Sequence, residues 1–174
     1  MPELKVLNGL PPYGPPAKPF PVSRYRSYSE GYVIEFNGGT DGAWVGNFQP
    51  GLTEFSGAYE HPDGKHILVV SGGDIYIVDP ELQTAEDIGS MVESVTSIPK
   101  LKALLFAEGT HLSLIGLHRQ WRTRQLSCDG IRDLTITGNF AVGEGWQHGN
   151  TWHKFSVSLD TGDLEGGAYH ESEP

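Results

Sequence analysis

A chain of 174 residues and 19.0 kDa can bury about 70% of its extended surface, so its core needs no disulfide or metal staple. The 22 acidic residues against 12 basic ones give a formal net charge of -10. That charge argues against nucleic acid, whose binders need a concentrated cationic footprint, and against docking on an anionic membrane face.

Cys128 is the only cysteine, which excludes an internal disulfide; beside Asp129 it has little local reason to become a reactive thiolate. No basic segment followed by an apolar run opens the chain, and no stretch approaches ~18 consecutive apolar residues. The expected setting is therefore cytoplasmic and away from membranes. The expected partner is another protein or a second copy of the chain, with no cofactor.

Residues 10–21 read LPPYGPPAKPFP. The prolines remove backbone donors and favour extended φ values. Such a segment can cover the main body as an arm, anchored by Tyr13 and Phe20, or present PxxP to a partner. The expected division is a proline-rich arm over 1–24, one all-β domain over 25–167 and a short acidic tail over 168–174.

Next, GYVIEFN and DGAWVGNF flank NGGTDG. Tyr, Val, Ile, Phe and Trp suit a pleated surface, and the glycines supply positive φ, so a hairpin is expected from Tyr32 to Phe48. In AYEHPDGKHILVVS a Pro-Asp-Gly-Lys turn precedes an apolar run; Gly72-Gly73 breaks that run before DIYIVD. Ile75 and Ile77 share one face of this strand and Tyr76 and Val78 the other, so both faces are apolar and the strand should be covered on both sides. Helix has little support. Its best candidate, DPELQTAEDIGSMVESV, could form one turn after Asp79-Pro80, but Gly89 interrupts it and no long apolar stripe follows.

Further strands are expected near 101–107 and 111–117, then through Trp121, Thr123 and Gln125, and near 131–136, 139–146 and 152–159. The 23 glycines are explained by repeated tight reversals, because neither a strand–GxGxxG–helix context nor a GxxxxGK[ST] loop occurs. Segments starting near Phe55, Val92 and Ile131 recur at the spacing of propeller blades.

The stretch HPDGKHILVVSGGDIYIVDPELQTAEDIG resembles a blade of bacterial β-propeller proteins, in which a hairpin after Pro-Asp-Gly leads into a strand whose Asp begins a turn. DTGDLEGG repeats that grammar. No WD-type signature accompanies it, and three units plus a first hairpin make at most four blades, the low end of closed propellers. The expected fold is all-β with propeller-like antiparallel repeats; a two-layer β-sandwich or an open meander are the alternatives.

Four groups of residues carry candidate chemistry. Asp79, Glu81, Glu86 and Asp87 lie in an acidic stretch without Lys or Arg between Lys65 and Lys100, suited to a protein partner or simply to water. Trp146, His148 and Asn150, with Trp152, combine apolar area and oriented hydrogen bonds. Trp146 and Trp152 can equally oppose each other as core residues, and core packing is the preferred reading for Trp152. Arg122 and Arg124 offer an alternative basic surface for an anionic or planar ligand, with Trp121 turned inward by strand alternation.

His61 with His66, and His148 with His153, are the histidine pairs that could converge, but no companion ligand stands at a diagnostic spacing and no metal is expected. Asp160, Asp163 and Glu165 fall short of a calcium loop. A small interaction or regulatory module is therefore the leading functional expectation. A hydrolase or carbohydrate-active enzyme with a loop-built site is the alternative.

Overall fold

In the computed structural model, residues 3–22, 29–37 and 42–168 are described. They form an all-β chain in two compact units, Met1–Val92 and Glu93–Pro174. Each unit contains two four-stranded sheets, A and B in the first and C and D in the second. Residues 38–41 of the expected hairpin, segment 23–28 and all of the acidic tail except Ala168 lie outside the described residues. Among the described residues no helix is long and apolar enough to cross a membrane.

Sheet A is built from β1 (Glu3–Leu7), β2 (Lys18–Phe20), β3 (Tyr32–Asn37) and β4 (Trp44–Phe48) in the order β1-β3-β4-β2. The β3–β4 hairpin pairs Tyr32 with Phe48; β1, ahead of the proline-rich segment, flanks β3, and β2, within it, flanks β4. Pro19 is tolerated in β2 because an edge strand has one side free of ladder bonds. Phe20 anchors the segment: it is buried and stacks on Phe48 at 5.3 Å between ring centroids. Tyr13, expected to share that role, is 90% exposed.

Sheet B is a meander of β5 (Gly57–Glu60), β6 (Ile67–Ser71), β7 (Asp74–Asp79) and β8 (Thr84–Gly89). Gly72 and Gly73 join β6 to β7 with φ of 52° and 87°, the two positive values of a type I′ reversal. A side chain there would also meet Pro50 or Thr53 at 2.7 and 2.5 Å. Tyr76 and Val78 enter the core of the first unit with Ile67 and Val69, against Phe36, Trp44 and Phe48 of sheet A. On the other face of β6 and β7, Leu68, Val70 and Ile75 are buried too.

The acidic stretch takes no helical turn. Asp79 Oδ1 accepts the Glu81 and Leu82 N–H groups at 2.9 Å each, a side-chain-capped turn that competes with helix. The chain then leaves as the edge strand β8.

Sheet C runs β9 (Ser94–Ile98), β10 (Ala103–Ala107), β11 (Leu112–Gly116) and β12 (Gln120–Arg122). Sheet D runs β13 (Ile131–Thr137), β14 (Phe140–Gln147), β15 (Thr151–Ser158) and β16 (Leu164–Gly166). Leu105, Leu112 and Leu114 of sheet C meet Ala141, Phe155 and Val157 of sheet D, with Leu126 and Leu159 from the connections. The inward residues of β14 are Ala141, Gly143 and Gly145, and their size is dictated by what approaches them. A Cβ at Gly143 would lie 2.8 Å from the Phe155 ring, and one at Gly145 would lie 2.6 Å from the Leu126 carbonyl oxygen.

Candidate functional site

Because β14 turns its smallest residues inward, its large ones face outward. Direct cross-strand partners share a face, so Trp146 with Trp152, Arg132 with Glu144 and Lys154, and Val142 with Thr135 and Ser156 form successive rows on the outer side of sheet D. Trp152 thus joins this outward face rather than the core expected for it, since the inward parity belongs to Phe155 and Val157. Both tryptophans are half-buried.

Side-chain contacts link the rows of this face. The Arg132 guanidinium lies 4.1 Å from the Trp152 ring centroid and makes two hydrogen bonds to Glu144 Oε2, at 2.9 Å from Nε and 2.6 Å from a terminal nitrogen. His148 packs edge-on against Trp146 at 5.2 Å, and Trp146 Nε1 approaches Asn150 Oδ1 at 3.4 Å. The sequence could show these residue types but not this row: Arg132 and Glu144 are 12 positions apart and meet only through the register.

The acidic residues are placed differently. Asp79 is half-buried and caps its turn, while Glu81, Glu86 and Asp87 are exposed. Carboxylates on an edge strand discourage pairing with another chain, a sufficient role for Glu86 and Asp87. Arg122 is exposed, yet its Nε donates to Glu108 Oε2 at 2.7 Å. Glu108, buried, also accepts from the Ser113 hydroxyl, and His111 stands 3.4 Å from the Arg122 guanidinium. Burial and the neighbouring Arg122 charge lower the His111 pKa, against a smaller opposite effect of Glu108. Arg124 is exposed, and Trp121 turns inward to donate to the Leu159 carbonyl at 3.1 Å.

His148 and His153 do not converge: His148 lies on Trp146, whereas His153 pairs with Gly145 on the opposite face. Asp160 binds Arg119 and Asn139, and Asp163 accepts from Thr161. A cleft of about 320 Å³ in the second unit is lined by Ile98, Lys100, Ile136 and Leu159 among others.

The other histidine pair does converge. His61 Nδ1 lies 3.0 Å from Asp63 Oδ1, and His66 Nδ1 lies 2.6 Å from Asp63 Oδ2. Among the described residues, these three form the only group of His, Cys, Asp or Glu whose donor atoms stand close enough to share a metal ion. Asp63 is the companion that sequence spacing left out, since the turn folds it back between its neighbours. Burial opposes its ionisation, but the His66 and Lys65 backbone N–H groups and both imidazoles outweigh that and hold its carboxyl well below the usual range.

No protein-family model matches this chain, and neither does any curated protein or solved structure.

Proposed function

We propose that this protein is a protein-interaction module whose partner seats on the outward face of sheet D. The carrying observation is the opposed Trp146–Trp152 pair with Arg132 stacked on it and tied to Glu144. Tryptophan and arginine dominate binding energy at protein interfaces, and side chains already fixed in the free protein lose little freedom on docking.

Recognition would use the face rather than the edge. The β13 edge is broken by a register shift between Arg132 and Thr135, where Asp133 has φ 54°, which discourages strand addition. The face also locally offsets the acidity of the chain, because Arg132 and Lys154 balance Glu144 and Glu165. Lys154 stands in this face beside Glu144 and the tryptophan pair, so the fitting partner presents apolar side chains bordered by carboxylates. Strands of eight residues are about 27 Å long, and four strands span about 14 Å between outer axes. Roughly 400 Å² is half the usual contribution of one partner. A transient, micromolar contact is the expected class.

The three successive meanders of sheets B, C and D support the propeller-like reading of the architecture. A carbohydrate-active enzyme remains the second reading, favoured only by the same two tryptophans, because a sugar ring also stacks on indole.

Affinity capture with wild type, Trp152→Ala and Lys65→Ala, followed by titration of the purified partner, tests the proposal. Loss of at least tenfold in affinity for Trp152→Ala alone is expected. Equal recovery and affinity across all three would overturn it, and a glycan array signal lost with Trp152→Ala would favour the second reading.

A further inference from the structure

We infer that His61, Asp63 and His66 form a binding site for a divalent transition ion of the zinc class. The residues sit in the turn that joins β5 to β6, where the backbone fixes them. His61 N–H donates to the His66 carbonyl at 3.0 Å, and Gly64 N–H closes the turn on the His61 carbonyl at 2.9 Å. The two imidazoles therefore flank the turn directly, with ring centroids 5.9 Å apart. Gly64 (φ 72°) lets Asp63 point its carboxylate back between them.

Asp63 is oriented independently of any ion. Its Oδ1 accepts the Lys65 and His66 N–H groups at 2.8 and 3.0 Å, which fixes the carboxylate with Oδ2 turned to His66. All three donor atoms lie within 4.8 Å of one another. A metal with bonds of about 2.0–2.2 Å to nitrogen and carboxylate oxygen needs its ligands roughly 3–3.5 Å apart, so small side-chain rotations suffice.

A second observation points to a cation. The Asp63 backbone N–H is directed at His61 Nδ1 at 3.3 Å, a contact that needs this nitrogen unprotonated. The same nitrogen faces a carboxylate oxygen at 3.0 Å. Two acceptors in contact are stabilised by a shared positive charge, and the single lone pair of Nδ1 can exchange its long contact with the backbone donor for a cation. Beyond the site, Asp79 Oδ2 lies 3.9 Å from His66 Nε2, the place where a carboxylate commonly orients a ligating imidazole.

Two imidazole nitrogens and one carboxylate oxygen suit zinc, nickel or copper rather than calcium or magnesium. Three protein ligands leave a fourth position for water. The site lies in the first unit and is independent of the sheet D surface, so either reading can fail alone.

The experiment uses the full, tag-free chain, stripped with chelator and titrated with Zn²⁺ at pH 7.5 by calorimetry, with Mg²⁺ as a control. One ion per chain is expected, weakened at least tenfold in His61→Gln and in His66→Gln, unchanged in His148→Gln, and weakened at pH 5.5 as protons compete for the imidazoles. Nitrogen-15 spectra of the wild type should show the Nδ1 atoms of His61 and His66 shifting on zinc addition, a readout that does not depend on how the variants fold. No stoichiometric binding, binding in the two glutamine variants as tight as in wild type, or unchanged Nδ1 resonances would each overturn the site.

Discussion

Gly145→Ala sets two physical effects in opposition. Gly145 has no left-handed φ, so alanine is conformationally acceptable, and replacing a strand glycine should by itself stabilise by roughly 0.5–1 kcal/mol. Packing says the reverse. The added methyl carbon would sit 2.6 Å from the Leu126 carbonyl oxygen and 3.1 Å from Ser127 Cβ. The first obstacle is backbone, so no rotamer change relieves it. The Leu126 carbonyl also accepts the Ala168 N–H at 2.8 Å, and the Leu126 side chain is fully buried in the core of the second unit. Overpacking of this kind costs about 1–3 kcal/mol, which outweighs the glycine gain and leaves a net loss of roughly 0.5–2 kcal/mol.

Urea unfolding followed by tryptophan fluorescence suits the test, because Trp121, Trp146 and Trp152 all belong to the second unit and only Trp44 to the first. Gly89→Ala is the control. Its nearest neighbour would be the Ile75 side-chain end at 3.3 Å, and stability should be unchanged or slightly raised. A Gly145→Ala protein as stable as wild type, or more so, would refute the close approach of Leu126 to β14.

Three further outcomes are expected. Phe20→Ala should destabilise the first unit by about 3–5 kcal/mol, read by hydrogen exchange in β2 and β4, while Tyr13→Ala changes stability by less than about 0.5 kcal/mol; similar effects for both would contradict the anchoring role of Phe20. Removing the cation in Arg122→Ala should raise the His111 pKa, measured by proton NMR, because the Arg122 charge lowers it; in wild type the lowered value means stability declines as pH falls from 6.5 toward the folded-state pKa, since the unfolded chain binds the proton more readily. Asp63 should stay ionised below the usual carboxylate range, so its contribution is full above its unfolded pKa and is lost progressively as pH falls from there through the lower folded value. Its carbon-13 titration midpoint should rise in metal-free His66→Gln, and an unchanged midpoint would remove the imidazole from the cause.

Local chemistry wrote most of the architecture into the chain. Gly72-Gly73 between two apolar runs specifies a reversal because few other residues adopt two positive φ values in succession, and the register Ser71 to Asp74 follows from it. Alternation likewise indicates that Trp121 and Arg122 face opposite ways. The outer strands of sheet A were not legible: β2 lies beside β4 in parallel, a long-range pairing that no local pattern announces. Nor could sequence choose the side on which Trp146 and Trp152 stand. Gly143 and Gly145 suit either a turn or a thin inward face, and only the approach of Phe155 and Leu126 made them the latter.

The histidine cluster divides in the same way. Sequence determined that two imidazoles flank a Pro-Asp-Gly-Lys reversal. The Asp63 carboxylate turns back locally onto the Lys65 and His66 N–H groups, but closure of the hairpin, through the His61 N–H to the His66 carbonyl, decided that both imidazoles flank it.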